Sequence, residues 1–366
     1  MKKLIILSIS ISLLVMSGCG QTNRSSADSA DENVTKVYRA QWMQEARWGL
    51  MTHYLSDWMV RNEKMESMTV ERWNELVDKF DVEALANQIE SVGAKYYIFT
   101  IGQNSGYFCS PNSVYDQLTG IAPSHCSNRD LIKDIATALK ARGIRFIAYL
   151  PAGAPASDRQ ARESLKWQSG ADPNIEFQKN WEQVIAHWSK QWGTLVDGWW
   201  FDGVYWQNVM YRNEKAPNFK SFAAAARAGN PNSAVAFNPG VIYRTLSVTP
   251  YEDYTAGEIN MPEMMSYRTQ NGLADDSQLQ ILTYAGQGWG SGDPRYSADE
   301  IIFFSKRVID NFGAFTWDVP TNSKGQIDEL FINLFKTVGA ELNTYSRNEA
   351  RRIPLMPSWP KDVPFL

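Results

Sequence analysis

Short apolar segments that read as buried strands alternate with helical stretches along most of this 366-residue chain. Eight such segments are rich in β-branched or aromatic residues and are followed by polar or glycine-containing loops. Strands separated by helices pair in parallel through right-handed crossovers, and eight of them close into a barrel. We therefore predict an α/β fold with one (β/α)8 TIM-like barrel domain. The predicted strands are Arg47–His53, Lys95–Ile101, Arg145–Leu150, Gly198–Asp202, Ala234–Asn238, Tyr251–Glu258, Gln280–Tyr284 and Ala314–Asp318.

The helices between these strands are predicted from apolar residues that recur every three to four positions. No convincing helix lies between the fifth and seventh strands. In a barrel of this kind, chemistry takes place at the carboxyl ends of the strands. The predicted helices are Val70–Val92, Leu131–Arg142, Ile175–Trp192, Phe219–Ala228, Ala298–Asn311 and Ile327–Tyr345.

Residues 1–19 combine a short basic start, an apolar run and two small residues before Cys19. This order is typical of a bacterial lipoprotein signal peptide, in which Cys19 receives the lipid and becomes the mature N-terminus. An ordinary cleaved signal peptide is the alternative. Residues 20–36 are mostly polar and are predicted to be a flexible tether. We expect residues 37–366 to form a single domain, lipid-anchored to the bacterial cell envelope and facing the periplasm or the outer membrane.

The composition argues against nucleic acid as a partner and favours carbohydrate. With 44% hydrophobic residues and a formal charge of −4, the chain can build a large core but has no basic field for nucleic acid. Fourteen tryptophans are unusually many for a core. Indole rings offer flat apolar faces that suit sugar rings, so we predict a carbohydrate cleft, with packing between barrel and helices as the alternative.

Beyond the leader the chain has two cysteines, Cys109 and Cys126, both between the second strand and the following helix. In an oxidising compartment they could form a disulfide that closes a short loop; two free thiols are the alternative. The spacing of cysteines and histidines does not indicate a metal site, and no cofactor is expected.

Asp202 is the strongest catalytic candidate, because it ends the apolar run Trp199–Gly203 where a barrel strand meets its loop. A carboxylate there could act as a nucleophile, and the alternative is that it caps a loop or pairs with an arginine. Other polar and aromatic residues at or near predicted strand ends are expected to bind substrate, although some of the tryptophans could simply pack and His53 could be a core histidine. These candidates are His53, Gln103, Asn104, Trp200, Trp206, Asn238, Trp289 and Trp317.

Four segments carry motifs that resemble, in the same order along the chain, those of glycoside hydrolase family 29, the α-L-fucosidases. They are residues 42–54 (WMQEARWGLMTHY), 80–97, 200–203 (WFDG) and 286–314. The resemblance implies a retaining glycosidase with Asp202 as nucleophile. It also points to Glu258, at the end of the DYTAGE segment, as the general acid/base. Glu263, Glu252 and Asp253 lie in the same acidic loop and are alternatives for that second role.

Residues 102–108 (GQNSGYF) depart from the His-His-Asp-Gly-Phe motif that the family usually carries after the second strand. Gln103 and Asn104 retain hydrogen-bonding capacity there but change the groups that would hold the sugar. Three functions therefore remain open, all with an oligosaccharide or polysaccharide as partner. They are a retaining hydrolase of α-L-fucosyl or related linkages in complex glycans, an endo-acting hydrolase of fucose-containing or sulfated polysaccharide, and a barrel that binds glycans without cleaving them.

Overall fold

The computed structural model describes residues 39–168, 173–205, 211–270 and 272–348. The predicted signal peptide, the predicted tether and the candidate Trp206 lie outside these ranges. Within them, no helix is both long enough and apolar enough to cross a lipid bilayer.

Seven parallel strands form the central sheet, and four short strands form two further pairs beside it. In chain order the strands are β1 Trp48–Thr52, β2 Tyr96–Thr100, β3 Arg145–Pro151, β4 Gly198–Asp202, β5 Ala234–Phe237, β6 Arg244–Thr245, β7 Ser266–Tyr267, β8 Leu273–Ala274, β9 Ser277–Gln278, β10 Gln280–Tyr284 and β11 Ala314–Asp318. The sheet runs β10-β11-β1-β2-β3-β4-β5, so the last long strand pairs with the first. This order is that of a TIM-like (β/α)8 barrel, as predicted, and the seven long strands lie within one residue of their predicted bounds.

The predicted sixth strand, Tyr251–Glu258, is wrong as a regular strand, although its chain occupies the gap between β5 and β10. Asp253 N donates to Val235 O of β5 at 2.7 Å, and Leu282 N of β10 donates to Gly257 O at 2.9 Å. Gly257 has a φ of +62°, which interrupts an extended strand. A Cβ there would lie 2.0 Å from the Gln280 carbonyl oxygen, so only glycine fits this close approach. An irregular segment therefore takes the place of the eighth strand.

Every predicted helix is present, and four shorter ones, α1, α2, α5 and α7, lie in connections where none is predicted. The helices of the described residues are α1 Trp42–Ala46, α2 Ser56–Asn62, α3 Val70–Asp78, α4 Val82–Val92, α5 Ser113–Thr119, α6 Leu131–Lys140, α7 Arg159–Ser164, α8 Ile175–Trp192, α9 Phe219–Ala226, α10 Ala298–Ile309 and α11 Glu329–Thr344. The predicted helix over residues 70–92 is two helices. Asp81 starts the second one by accepting a hydrogen bond from Ala84 N at 3.0 Å, so its side chain caps a helix where continuity was expected.

Alternation along the strands divides the core in two. In β4, Trp199 and Phe201 face the surrounding helices, whereas Trp200 points into the barrel with Ile98, Tyr149 and other interior residues. Because side chains two positions apart share a face, Asp202 continues the inward row above Trp200 at the carboxyl end of the strand. Aromatic and aliphatic side chains fill most of the barrel interior, together with a buried hydrogen-bonded cluster of Tyr96, Gln280 and Thr316. The polar groups of the candidate site lie where the strands end.

The disulfide that the sequence allows between Cys109 and Cys126 is not formed, because both are buried free thiols. Cys126 lies opposite Phe108 in an isolated parallel bridge. Cys109 is the next residue after Phe108, so its side chain points to the other side of this extended segment. Its Sγ lies 4.0 Å from the Tyr54 carbonyl oxygen. Burial raises the pKa of both thiols, which keeps them protonated.

Candidate active site

Asp202 lies at the centre of a set of inward-facing side chains at the carboxyl end of the barrel. Tyr149 of β3 donates from Oη to Asp202 Oδ2 at 2.5 Å. The Tyr149 ring stacks on Trp200 with ring centroids 5.3 Å apart, and Trp200 Nε1 donates to Ala256 O at 3.1 Å. The aromatic floor of the barrel thus holds the tyrosine that orients the carboxylate.

A single side-chain amide joins the two candidate catalytic carboxyl groups. Asn238 Nδ2 donates to Asp202 Oδ1 at 2.8 Å and also to Glu258 Oε2. Because both oxygens are hydrogen-bonded to the same nitrogen, they lie within about 6 Å of each other. Asn238 follows β5 on the inward row after Ala234 and Ala236, and it is fully buried. The buried Asn238 amide therefore binds Asp202 and Glu258 from the barrel side, and both residues remain partly exposed.

The two carboxyl groups differ in their surroundings. Burial, and then the neighbouring Asp202 carboxylate, raise the pKa of Glu258 to about 7, although the hydrogen bond from Asn238 opposes the shift. A carboxyl group with this pKa is largely protonated below neutrality and can give up its proton there. Burial and the same Asp202 carboxylate also raise the pKa of Tyr149, which keeps it a hydrogen-bond donor.

The other acidic candidates for the second role lie away from this pair. Glu252 is fully buried and accepts a hydrogen bond from Phe237 N at 3.1 Å. Asp253 is buried beside Arg227 and Arg39 and caps the start of β5 through Val235 N at 2.9 Å. Glu263 is exposed, and after burial it is a further cause of the raised pKa of Tyr296. Of the four acidic candidates, Glu258 is therefore the one that shares a hydrogen-bond donor with Asp202.

His53 follows β1 on the inward face and forms a second polar group at the mouth. Its Nδ1 lies 2.8 Å from Asp318 Oδ1, and Asp318 Oδ2 accepts a hydrogen bond from Gly290 N at 2.5 Å. The imidazole touches two indoles, with centroids 4.7 Å from Trp58 and 5.9 Å from Trp289. Asp318 thus fixes the histidine and the loop that carries Trp289 together.

The remaining predicted binding residues separate into three groups. Gln103 belongs to the site, because its Nε2 donates to Tyr149 Oη, and Asn104 beside it is exposed at the mouth. Trp200 is buried in the floor. Trp317 is not a binding residue: it is fully buried on the helix side of β11, where Nε1 donates to Ser305 Oγ at 3.0 Å. Position 317 lies on the outward row of its strand, whereas Asp318 lies on the inward row.

Four residues of the site are not among those predicted from the sequence: Tyr149, Asp318, Trp58 and Tyr205. The first two could have been found by applying the inward alternation of each strand to its last residues. Tyr205 is 59% exposed, and the Asp202 carboxylate, then burial and the Glu258 carboxylate, raise the pKa of its phenol. Trp58 lies on α2, in a connection where no helix is predicted, so no sequence pattern pointed to it.

A sequence model described as alpha-L-fucosidase matches residues 15–347. The chain belongs to the alpha-L-fucosidase family. This match covers all the strands of the barrel and every residue of the site described above. As a member of this family, the protein is a glycoside hydrolase that acts on fucosyl linkages.

Solved structures share the fold of this fucosidase-family chain at low sequence identity. An endo-fucoidan hydrolase, P5AFcnA from glycoside hydrolase family 107, superposes with a TM-score of 0.65 at 15% identity, over 85% of this chain and 95% of that chain. Alpha-L-fucosidase isoenzyme 1 from Paenibacillus thiaminolyticus gives 0.55 at 18% identity, over 84% and 75%. The Thermotoga maritima alpha-fucosidase gives 0.59 at 16% identity, over 86% and 75%. No curated protein sequence matches significantly.

Proposed function

We propose that this enzyme is a retaining glycoside hydrolase in which Asp202 is the nucleophile and Glu258 is the general acid/base. The observation that supports this most is the shared Asn238 amide, which keeps one oxygen of each carboxyl group within about 6 Å of the other. Retaining glycosidases place their two carboxyl groups about 5 Å apart, whereas inverting enzymes leave a wider gap for water.

The surroundings of the two groups fit the two steps of such a reaction. In the first, Glu258 gives its proton to the departing glycosidic oxygen while Asp202 attacks the anomeric carbon and forms a glycosyl ester. In the second, ionised Glu258 takes a proton from water, the water oxygen attacks the same carbon, and Asp202 is released. Tyr149 and Asn238 orient Asp202 by donating to its two oxygens.

The pKa of Glu258, raised to about 7, predicts how activity depends on pH. Only protonated Glu258 can assist departure, so kcat/KM for a fucoside with a poor leaving group should fall above pH 7, by about tenfold per pH unit. A dinitrophenyl fucoside, whose leaving group needs no proton, should show little of this decline. Profiles of kcat/KM between pH 5 and 9 for both substrates test the assignment, and identical profiles would contradict it.

The substrate itself is an exo-cleaved fucoside or an internal linkage of a fucose-containing polysaccharide. Gln103 and Asn104 in place of a paired-histidine motif, together with the similarity to an endo-fucoidan hydrolase over 95% of that chain, favour the second candidate. We would incubate the enzyme with aryl α-L-fucosides, fucosylated oligosaccharides and fucans, and separate the products by size. Free fucose as the only product indicates exo action, whereas early oligosaccharides indicate endo action. Cleavage of none of them would contradict the proposed function, and a barrel that only binds glycans would then be the better account.

The location of the enzyme is proposed from the leader sequence alone. Cys19 after two small residues supports lipid attachment at the cell envelope. Cys19→Ser should therefore move the protein from the membrane fraction to the soluble fraction of expressing bacteria. Unchanged fractionation would argue against a lipid anchor.

A further inference from the structure

A cavity of about 330 Å³ lies beside the candidate active site, between α2 and the loop after β10. It shares a wall with His53, because the rings of Trp58 and Trp289 line the cavity and also contact the imidazole at 4.7 and 5.9 Å. The lining residues are Trp58, Arg61, Asn62, Trp289, Gly290 and Ser291.

The shape of this cavity depends on close packing between its two sides. A Cβ on Gly290 would lie 2.2 Å from a ring atom of Trp58, so the loop backbone lies directly against the indole. The N–H of the same glycine donates to Asp318 Oδ2 at 2.5 Å, and Asp318 also binds His53. The carboxylate that orients the active-site histidine therefore also fixes the cavity wall. Both indoles line the cavity and are partly exposed, so they offer apolar surface against which a sugar ring can pack.

Arg61 gives the cavity a positive charge that the protein itself leaves uncompensated. Its guanidinium lies 5.7 Å from the centroid of the Trp58 ring, and the side chain is exposed. Among the described residues it has no hydrogen-bond or ion-pair partner, whereas Arg142 and Arg145, for example, bind carboxylates at 2.8 and 2.7 Å. A planar guanidinium with five free N–H donors matches the oxygen pairs of a sulfate ester or a carboxylate.

We propose that the cavity formed by Trp58, Arg61 and Trp289 is a subsite for a sugar unit that carries an anionic substituent, a sulfate ester or a carboxylate. The unit would neighbour the one whose bond is cleaved, stacking on the indoles while Arg61 binds its anionic oxygens. This inference rests on the proposed function, because it takes the substrate to be a glycan that extends beyond the cleavage site. It assigns a preference for acidic polysaccharides to the same active site.

The test measures binding as well as turnover. The full chain carrying Asp202→Asn is titrated by calorimetry with a sulfated fucan oligosaccharide and with the same oligosaccharide after desulfation. Arg61→Gln should weaken binding of the sulfated form about tenfold or more, since a hydrogen-bonded charge pair is lost, and that of the desulfated form less than about twofold. Arg61→Lys should restore part of the loss, and affinity for the sulfated form should fall with ionic strength.

Arg72→Gln is the matched control, because Arg72 is an exposed arginine on α3, 3.6 Å from Glu75 and not part of the cavity. It should change neither affinity by more than about twofold. Equal weakening of both oligosaccharides by Arg61→Gln, or no weakening, would overturn the proposal. A uronate-bearing oligosaccharide in a third titration tells whether a carboxylate is accepted as well as a sulfate. If Arg61-dependent binding is present but no glycan is cleaved, the hydrolase assignment fails and the subsite stands.

Discussion

Replacing Asp202 by alanine is expected to lower kcat/KM for an aryl α-L-fucoside by roughly four orders of magnitude or more, because the group that forms the covalent bond is lost. The fold should persist, since Asp202 lies at the mouth of the barrel and is partly exposed. The variant leaves Tyr149 and Asn238 with one hydrogen-bond acceptor fewer, which costs about 1–3 kcal/mol of stability. Steady-state kinetics beside a thermal unfolding curve measure the two effects separately.

Asp197 offers a matched control at the opposite end of the same strand. It precedes β4, where it binds Arg145 at 2.7 Å and Phe146 N at 3.0 Å. Because the amino-terminal face of such a barrel serves stability, Asp197→Ala should lower the midpoint of unfolding and leave kcat/KM nearly unchanged. An Asp202→Ala enzyme that keeps a sizeable fraction of activity would remove Asp202 from the mechanism.

Glu258→Ala is expected to lower kcat/KM about a hundredfold or more for substrates with poor leaving groups. It should lower kcat/KM far less for dinitrophenyl fucoside, because a good leaving group needs no proton. Added azide should restore turnover of the dinitrophenyl substrate. Azide attacks the glycosyl ester without needing a base, and the product is a glycosyl azide with retained configuration. Chromatography of the products with and without azide detects it.

Glu263→Ala is the control for this second role, since Glu263 is exposed and is not one of the residues hydrogen-bonded to Asp202 or Asn238. It should behave like the unmodified enzyme with both substrates. If Glu263→Ala instead shows the leaving-group dependence and azide rescue, the acid/base role belongs to Glu263. If neither variant does, the retaining mechanism is wrong.

The long strands were predictable to within one residue because each is a short apolar run with turn signals at both ends. Residues 251–258 were wrongly predicted to be a regular strand for the same reason, because their composition is typical of a strand. Its irregular path depends on the positive φ of Gly257 and on contacts with Gln280, more than twenty residues away. Such a tertiary constraint leaves no periodic signal in the chain.

The candidate site was predictable where a residue type and a strand end coincide, as at Asp202, Asn238 and His53. Site residues were missed where finding them required working out, residue by residue, which side chains of a strand point into the barrel. That count selects Asp318 over its neighbour Trp317, and it places Tyr149 beneath Asp202. The choice of Glu258 among four acidic residues needed the position of Asn238, which the sequence does not supply.

If Asp202 forms a covalent bond to the sugar, mass spectrometry of a trapped intermediate should detect that bond. The enzyme is incubated with a 2-deoxy-2-fluoro-fucosyl fluoride, which forms the glycosyl ester but hydrolyses it slowly, and is then digested with a protease. We expect one added fluorosugar on the peptide that contains Asp202, and no label on the Asp202→Ala variant. A label on another carboxylate, or turnover of the probe without any covalent adduct, would contradict it.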